Sequence, residues 1–249
     1  MKLPNLRTLF TPDPGYLIGD SDLEQADAQV VAWEADDSDL KSIFRDPSLD
    51  LHNENCKSIF GKYPTGPDDP HRKRVKAGVH LTNYGGNGRT LAKTLGITVH
   101  EADKFQSKWF QMHPGIKNWH NEIERQLETR RYVENRFGYR RFYFDRIEML
   151  LPQALAWIPQ STVALVINHG WKNLVTNLPE VEVLLQVHDS LVFQYPKHFD
   201  PQIRPVIRDN LLIEIPYDDP LTIGVGLSIS NKSWGEVKDV SWQESSNIG

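Results

Sequence analysis

Apolar positions along this chain change period several times, and each change marks a predicted element. The turn cluster Pro12-Asp13-Pro14-Gly15 combines a fixed φ with a residue that accepts positive φ. The apolar run Tyr16-Leu17-Ile18-Gly19 after it predicts a strand. Leu23, Ala26, Val30 and Trp33 then recur at steps of three and four, the spacing of a helix face. Asp50-Leu51-His52 leads into a short helix that stops by Gly61, and Tyr63 to Pro70, rich in Pro, Gly and Asp, predicts a loop. A helix from about Pro70 to Tyr84 ends at the Gly85-Gly86 pair. Thr90 to Ile97 and Val99 to Met112 predict two more helices, Pro114-Gly115 a turn, and Ile116 to Leu127 another amphipathic helix.

The second half changes character. Val133 to Tyr143 predicts a hairpin around Phe137-Gly138, and Ser161-Thr162 caps a helix running through Asn168 or beyond. Val181 to Tyr195 carries the clearest β pattern, broken at His188-Asp189-Ser190 into two strands with a tight turn. Gln202 to Leu212 reads as a helix and Leu221 to Ile229 as a final strand. Helices inserted between strands that pair at long range give the α+β class rather than a doubly wound sheet.

At 249 residues, 39% hydrophobic and 24% charged, with a mean hydropathy of -0.50, the composition is that of a globular protein with a core. The single cysteine, Cys56, excludes an internal disulfide and a cysteine-built zinc cage. The first ten residues lack a signal core, and no apolar run in the sequence approaches the ~20 residues that span a bilayer. The expectation is a cytoplasmic protein with no membrane partner. The net charge of -5 hides a strong asymmetry. Fourteen acids face six bases from residue 1 to 70, whereas residues 71–100 hold no acid and six bases. A second basic stretch, Arg125 to Arg141, is interleaved with Tyr132, Phe137, Tyr139, Phe142 and Tyr143. An acidic site beside basic, aromatic-laced segments suits a polyanionic substrate handled through metal ions; solvated helix faces produce the same charge runs.

Asp22, with Asp20 just before it, stands where a strand hands over to a helix, and Asp189 sits at the tip of a hairpin. Two aspartates at strand ends suit a hard cation such as Mg²⁺, which takes one or two carboxylates plus substrate phosphates. A pair of them holds two ions for in-line phosphoryl chemistry. An Asp in a turn also serves simply as a turn-former. Arg72, Lys76, His80 and Tyr84 are four apart, one drifting ribbon along a helix that offers two cations, an imidazole and a phenol to one side. Cations hold a triphosphate and rings stack on a base; the alternative is a solvated basic helix with Tyr84 folded into a core.

With these residues in place the chain resembles the family A DNA polymerases. Asp22 to Ala32 looks like the family's first motif, with its metal-binding Asp. Arg72, Lys76, His80, Tyr84 and Gly85 match the spacing of the second, the fingers helix that binds the incoming nucleotide, and Gln186-Val187-His188-Asp189 matches the third, a palm hairpin with the other metal-binding Asp. Asp50-Leu51-His52 resembles a fingers segment whose His touches triphosphate. Arg136 to Arg141 and Pro159-Gln160-Ser161-Thr162 resemble segments that contact the duplex minor groove. The resemblance runs in order from about Asn5 to Trp234.

It implies an antiparallel palm sheet with an inserted helical fingers subdomain: palm over 1–37, fingers over 38–131, palm again over 132–249. It further implies template-directed DNA synthesis with two Mg²⁺ held by Asp22, Asp189 and the Leu23 backbone carbonyl. Arg72, Lys76 and His52 would grip the triphosphate of a dNTP, with His80, Tyr84, Asp27 and Gln25 around base and sugar. Arg140, Arg141, Gln160 and His188 would touch primer-template DNA, in a bacterial or phage-infected cell. The chain departs from the family pattern at Leu23 (usually Tyr), Asp27 (usually Glu), His80 (usually Phe or Tyr) and Ser190 (usually Glu). The shorter Asp27 is expected to reach Tyr84 only through a longer or water-mediated bond. No thumb or proofreading segment is recognisable, nor the strand and arginines that usually precede the first motif. The expectation is low processivity or a separate thumb-bearing or processivity protein. The rival readings are a subunit of a split polymerase, a catalytically weak DNA-binding module, and a nuclease or phosphatase using the same aspartates.

Overall fold

The computed structural model describes residues 4–243; residues 1–3 and 244–249, at the outer ends of the expected palm segments, lie outside the described residues. In chain order the elements are β1 (Tyr16–Asp22), α1 (Ala26–Glu34), α2 (Ser38–Arg45), α3 (Leu51–Phe60), α4 (Pro70–Asn83), α5 (Gly88–Leu95), α6 (Val99–Met112), α7 (Pro114–Arg130), β2 (Tyr132–Glu134) and β3 (Arg140–Phe142). Then follow α8 (Ile147–Asn177), β4 (Glu182–Val187), β5 (Ser190–Pro196), α9 (Ile203–Leu211), β6 (Glu214–Ile215), β7 (Leu221–Thr222), β8 (Ser228–Ser230) and β9 (Lys238–Asp239). They sort into two compact units, residues 1–26 with 162–249 and residues 27–161. The palm and fingers division is one by role and remains a proposal; compactness groups 27–37 and 132–161 with the helices.

The first unit is built on a five-stranded antiparallel sheet ordered β4-β5-β1-β8-β9. β1 and β5 pair along seven positions, from Tyr16 opposite Pro196 to Asp22 opposite Ser190. This register is set by burial: Leu17, Ile18, Leu191, Val192, Phe193 and Tyr195 are all inside. Gly19 is required by a close approach, since a Cβ there would meet the Phe193 ring at 2.6 Å. Beyond β5, the fully buried Arg204 of α9 holds Asp200 through two bonds of 2.6 and 2.7 Å, and Asp200 also accepts the Tyr195 hydroxyl. Helix and sheet are thereby joined by a paired, hydrogen-bonded charge, the form in which a buried ion is tolerated.

The second unit is helical. α3 begins at Asp50, whose side chain accepts the Asn53 N–H at 2.8 Å, and ends at Gly61 in the left-handed region. α6 opens with a complete capping box between Thr98 and Glu101. α4 buries Val75, Gly78, Val79, Thr82 and Asn83, and Gly78 lies so close to α6 that a Cβ would meet the Phe105 ring at 2.7 Å. Asn83 is fixed from two sides: its amide oxygen accepts the Trp109 indole N–H at 2.8 Å and its carbonyl lies 2.8 Å from His120 Nε2.

Four sequence expectations are corrected. Pro114-Gly115 begins α7 rather than forming a separate turn; Gly115 is needed because a Cβ would strike the Ala35 carbonyl at 2.5 Å. Ser161-Thr162 caps nothing, because α8 runs unbroken through it from Ile147 to Asn177 with Pro152 and Pro159 inside. A helix-interior proline costs about 3 kcal/mol, and burial of Ala154, Leu155, Ile158, Val163, Val166 and Leu174 along the same helix opposes that cost. α8 is also long and apolar enough to cross a membrane by length and composition, contrary to the expectation that no such run exists; 56% of its most apolar stretch is buried, as in core helices. Finally, Leu221 to Ile229 is not one strand but the short β7 and β8.

Candidate active site

At the end of the sheet, β1 delivers Asp22 and the β4–β5 turn delivers Asp189. The two segments are tied by backbone, the Leu23 N–H donating to the Asp189 carbonyl at 3.0 Å, and Asp22 is held on its other side by the Gly226 N–H, which donates to its carbonyl at 2.9 Å. Both aspartates reach solvent. His188 in the two-residue turn has φ +55, and Gln25, just after the first aspartate, has φ +49. Residues other than glycine adopt such angles at a cost, so rigid, strained backbone flanks both carboxylates.

The surrounding protein still strips hydration from Asp22. That partial burial, together with the negative charges of Asp20, Asp189 and Glu24, pushes its carboxyl above the usual carboxylate range. Asp20 accepts the Trp234 indole N–H at 2.6 Å through one oxygen, while its other oxygen is buried without a partner. Neither Asp22 nor Asp189 has an ion pair among the described residues. An uncompensated pair of hard oxygen donors fits a divalent cation that completes its shell with carbonyls, water and phosphates. Among the described residues there is no set of three or more His, Cys, Asp or Glu side chains placed to hold a metal on their own. Ser190, where a second carboxylate was expected by resemblance, turns its hydroxyl back to the Val187 carbonyl at 3.1 Å.

In the helical unit, the α4 ribbon is present as the spacing predicts. Lys76 and His80 are exposed, Arg72 and Tyr84 are half-buried, and the His80 and Tyr84 rings meet edge-on at 4.5 Å. Arg72 is not idle: its Nη2 donates to both Asp50 oxygens at 2.9 and 3.2 Å and its Nε to the Asn53 amide oxygen at 3.1 Å. His52 lies beside it. Burial, with the charges of Arg72 and Lys76, pushes its imidazole down to about 4, and its Nδ1 is buried without a partner. His52 is therefore neutral at pH 7 and acts as a hydrogen-bonding group, not a charge.

The Tyr84 hydroxyl donates directly to Asp27 at 2.9 Å. This corrects the expectation of a longer or water-mediated bond: the start of α1 brings the shorter acid within reach. Burial and the neighbouring Asp27 charge raise the phenol further above its ordinary range.

Of the residues expected to contact the duplex, the hairpin of β2 and β3 carries Arg140 and Arg141, while Gln160 lies on α8 and His188 in the β4–β5 turn. Arg140 pairs with Glu134, Arg141 lies over the Tyr143 ring at 5.2 Å, and Gln160 is exposed on α8. Asn135, which no sequence motif singled out, holds this turn together. Its amide oxygen accepts the Phe137 and Tyr139 N–H groups at 3.1 Å, and its amide nitrogen donates to Ser161 beside Gln160 at 2.9 Å.

A family model for DNA polymerase family A matches residues 2–236. A thermostable DNA polymerase I from Thermus filiformis is 31% identical over 245 residues, 94% of this chain and 29% of that protein. A DNA polymerase I from Rhizobium leguminosarum is 29% identical over 216 residues, 81% of this chain and 21% of the relative. This chain therefore spans less than a third of these relatives. Among solved structures, the POL domain of Pol1 from M. smegmatis in complex with DNA primer-template and dNTP superposes with a TM-score of 0.81 at 24% identity, over 92% of this chain and 42% of that one. That likeness concerns the fold, a mixed helical and antiparallel-sheet architecture.

Proposed function

Because the chain belongs to DNA polymerase family A, we propose that it carries DNA-directed nucleotidyl transfer, joining a dNTP to a primer 3′-hydroxyl with release of pyrophosphate. The observation that carries this reading is the pair Asp22 and Asp189, held side by side at the sheet end and without a cationic side chain paired to either among the described residues.

The family is metal-dependent, and Asp22, Asp189 and the Leu23 carbonyl are the groups that would hold two Mg²⁺. When bound, such ions lower the pKa of the attacking hydroxyl and neutralise the leaving oxygens. Arg72 and Lys76 supply positive charge to the triphosphate, and neutral His52 supplies a hydrogen bond. Little covalent chemistry falls to the protein itself, so positioned charge matters more than any general base. His80 and Tyr84 frame the base; Asp27 and Gln25 lie toward the sugar. Arg140, Arg141, Gln160 and His188 contact primer-template DNA. The bacterial relatives support a soluble cytoplasmic protein.

Primer extension by the purified chain with Mg²⁺ and dNTPs tests it. Template-directed lengthening of the primer is expected. Shortening would replace the polymerase with a nuclease, and binding without turnover would leave a DNA-binding module, the outcome toward which Ser190 points.

A further inference from the structure

The Arg72 guanidinium is held along one side edge only. Nε and Nη2 are occupied by Asn53 and Asp50, whereas Nη1 has no partner among the described residues. The clamp is itself rigid, because the same Asp50 carboxylate caps α3 through the Asn53 N–H at 2.8 Å. The carboxyl of Asp50 is buried in part, which raises its pKa, but the Asn53 N–H and the Arg72 charge outweigh this and hold it below the usual carboxylate range. It is therefore ionised throughout the neutral range. Lys76 lies one turn further along α4, on the same ribbon.

We propose that Asp50 is a positioning residue for a polyphosphate site, fixing the Nε–Nη2 edge of Arg72 so that Nη1 is presented to a phosphate oxygen. This rests on the reading of α4 as the triphosphate-binding helix. Two effects of Asp50 oppose each other. Its charge repels an incoming phosphate, and its hydrogen bonds remove the rotamer entropy of a long side chain. The Asp50 side chain is 35% exposed, so water screens the repulsion. The fixed geometry is not screened, and a long Arg side chain otherwise loses rotamer freedom on binding, so pre-orientation prevails.

The test is a double-mutant cycle on the full chain, Asp50→Asn with Arg72→Ala, read by the Kd for inorganic tripolyphosphate and by KM and kcat for dNTP. Asparagine keeps the cap, so Tm is expected to stay within a few degrees. Asp50→Asn is expected to raise the tripolyphosphate Kd and the dNTP KM about threefold to tenfold, with kcat within twofold. In the Arg72→Ala background the same change should add nothing, the signature of a residue acting through another. A lowered Kd would mean that Asp50 competes with phosphate. An unchanged Kd, an equal rise in both backgrounds, or no tripolyphosphate binding by the wild-type chain would each overturn the proposal. If the wild-type chain extends no primer yet shows the cycle with tripolyphosphate, the polymerase reading fails and the clamp stands. If primers are extended and Asp50→Asn changes nothing, the clamp alone fails.

Discussion

The sheet end and the α4 ribbon handle charge in opposite ways. At the sheet end, Asp22 sits among Asp20, Asp189 and Glu24, and partial burial together with that uncompensated charge raises its pKa. On the helical side, Arg72 is held by Asp50 and Tyr84 by Asp27. The difference is instructive because both regions are proposed to serve one reaction. A site that recruits a cation from solution is best left with unneutralised carboxylates. A site that receives an anion can keep its cation oriented by an acid, provided one edge of that cation stays open. On this reading the sheet end is arranged to be completed by what it binds, whereas the ribbon already has protein partners for Arg72 and Tyr84 and receives a ligand at the open edge of Arg72.

The largest expected effect follows from the sheet end. Asp22→Ala and Asp189→Ala are each expected to lower single-turnover incorporation about a hundredfold to a thousandfold, the scale seen when a principal electrostatic contributor is lost. The fold should survive, with Tm unchanged or slightly raised, because each substitution removes a repelling charge and opens no core cavity. In the ribbon, Arg72→Ala should act mainly on KM. Near-normal incorporation by a folded Asp22→Ala or Asp189→Ala protein would end the distinction between the two regions, along with the metal assignment.

Acidification separates the regions by sign. His52 and His120 of the helical unit are both pushed down to about 4 by burial, from an ordinary value of 6.5. Between those values the unfolded chain binds protons that the native state refuses, so native stability falls as pH drops through this window. Taking the two groups together, the loss from pH 7 to pH 5 is about 2–4 kcal/mol. Asp22 behaves in the reverse sense: its folded pKa is raised, so its contribution is fully present below the unfolded carboxylate value and is lost as pH rises through the folded one. Hydrogen exchange at pH 7 and pH 5, corrected for intrinsic rates, should therefore show weakened protection in α3, α4 and α7 and none of that weakening in β1, β4 and β5. His120→Gln, which keeps a donor for the Asn83 carbonyl, should flatten the dependence in α7. Uniform loss of protection across both units would show that the histidines do not govern it.

What the sequence disclosed tracks how local the determining physics is. α3 is legible because Asp50 and Gly61 mark its ends, and the β4–β5 hairpin because two apolar-rich runs meet at the polar His188-Asp189-Ser190 break. α8 is not, since Pro152 and Pro159 signal interruption and only tertiary burial overrides them. The same divide runs through the site. Fourfold spacing along one helix was enough to assemble Arg72, Lys76, His80 and Tyr84. The partners that set their chemistry lie 22 residues away for Asp50 and 57 for Asp27, and no periodicity links residues so far apart. Asn135 was invisible for the same reason, its role being to bind a turn to a helix 26 residues on.

The smallest expected effect probes whether the ribbon's internal satisfaction extends to sugar selection. In the family pattern a Glu stands where this chain has Asp27, and a shorter acid would leave room beside the 2′ position if it stayed in the same place. In this structure Asp27 already lies 2.9 Å from the Tyr84 hydroxyl, so the shorter acid makes the bond directly and leaves no gap between the two side chains. Asp27→Glu then has no void to fill. It must push the phenol toward His80, whose ring already lies 4.5 Å away, or fold back on itself. The ratio of kcat/KM for dNTP over rNTP is therefore expected to change by less than about threefold, under 1 kcal/mol and below the ~1–3 kcal/mol that one methylene commands in a pocket with space for it. Tyr84→Phe provides the control, because it breaks the bond without adding volume. A tenfold or larger gain in selectivity with Asp27→Glu, absent in Tyr84→Phe, would show that the short acid does leave space at the sugar and that the ribbon, like the sheet end, waits for its ligand to complete it.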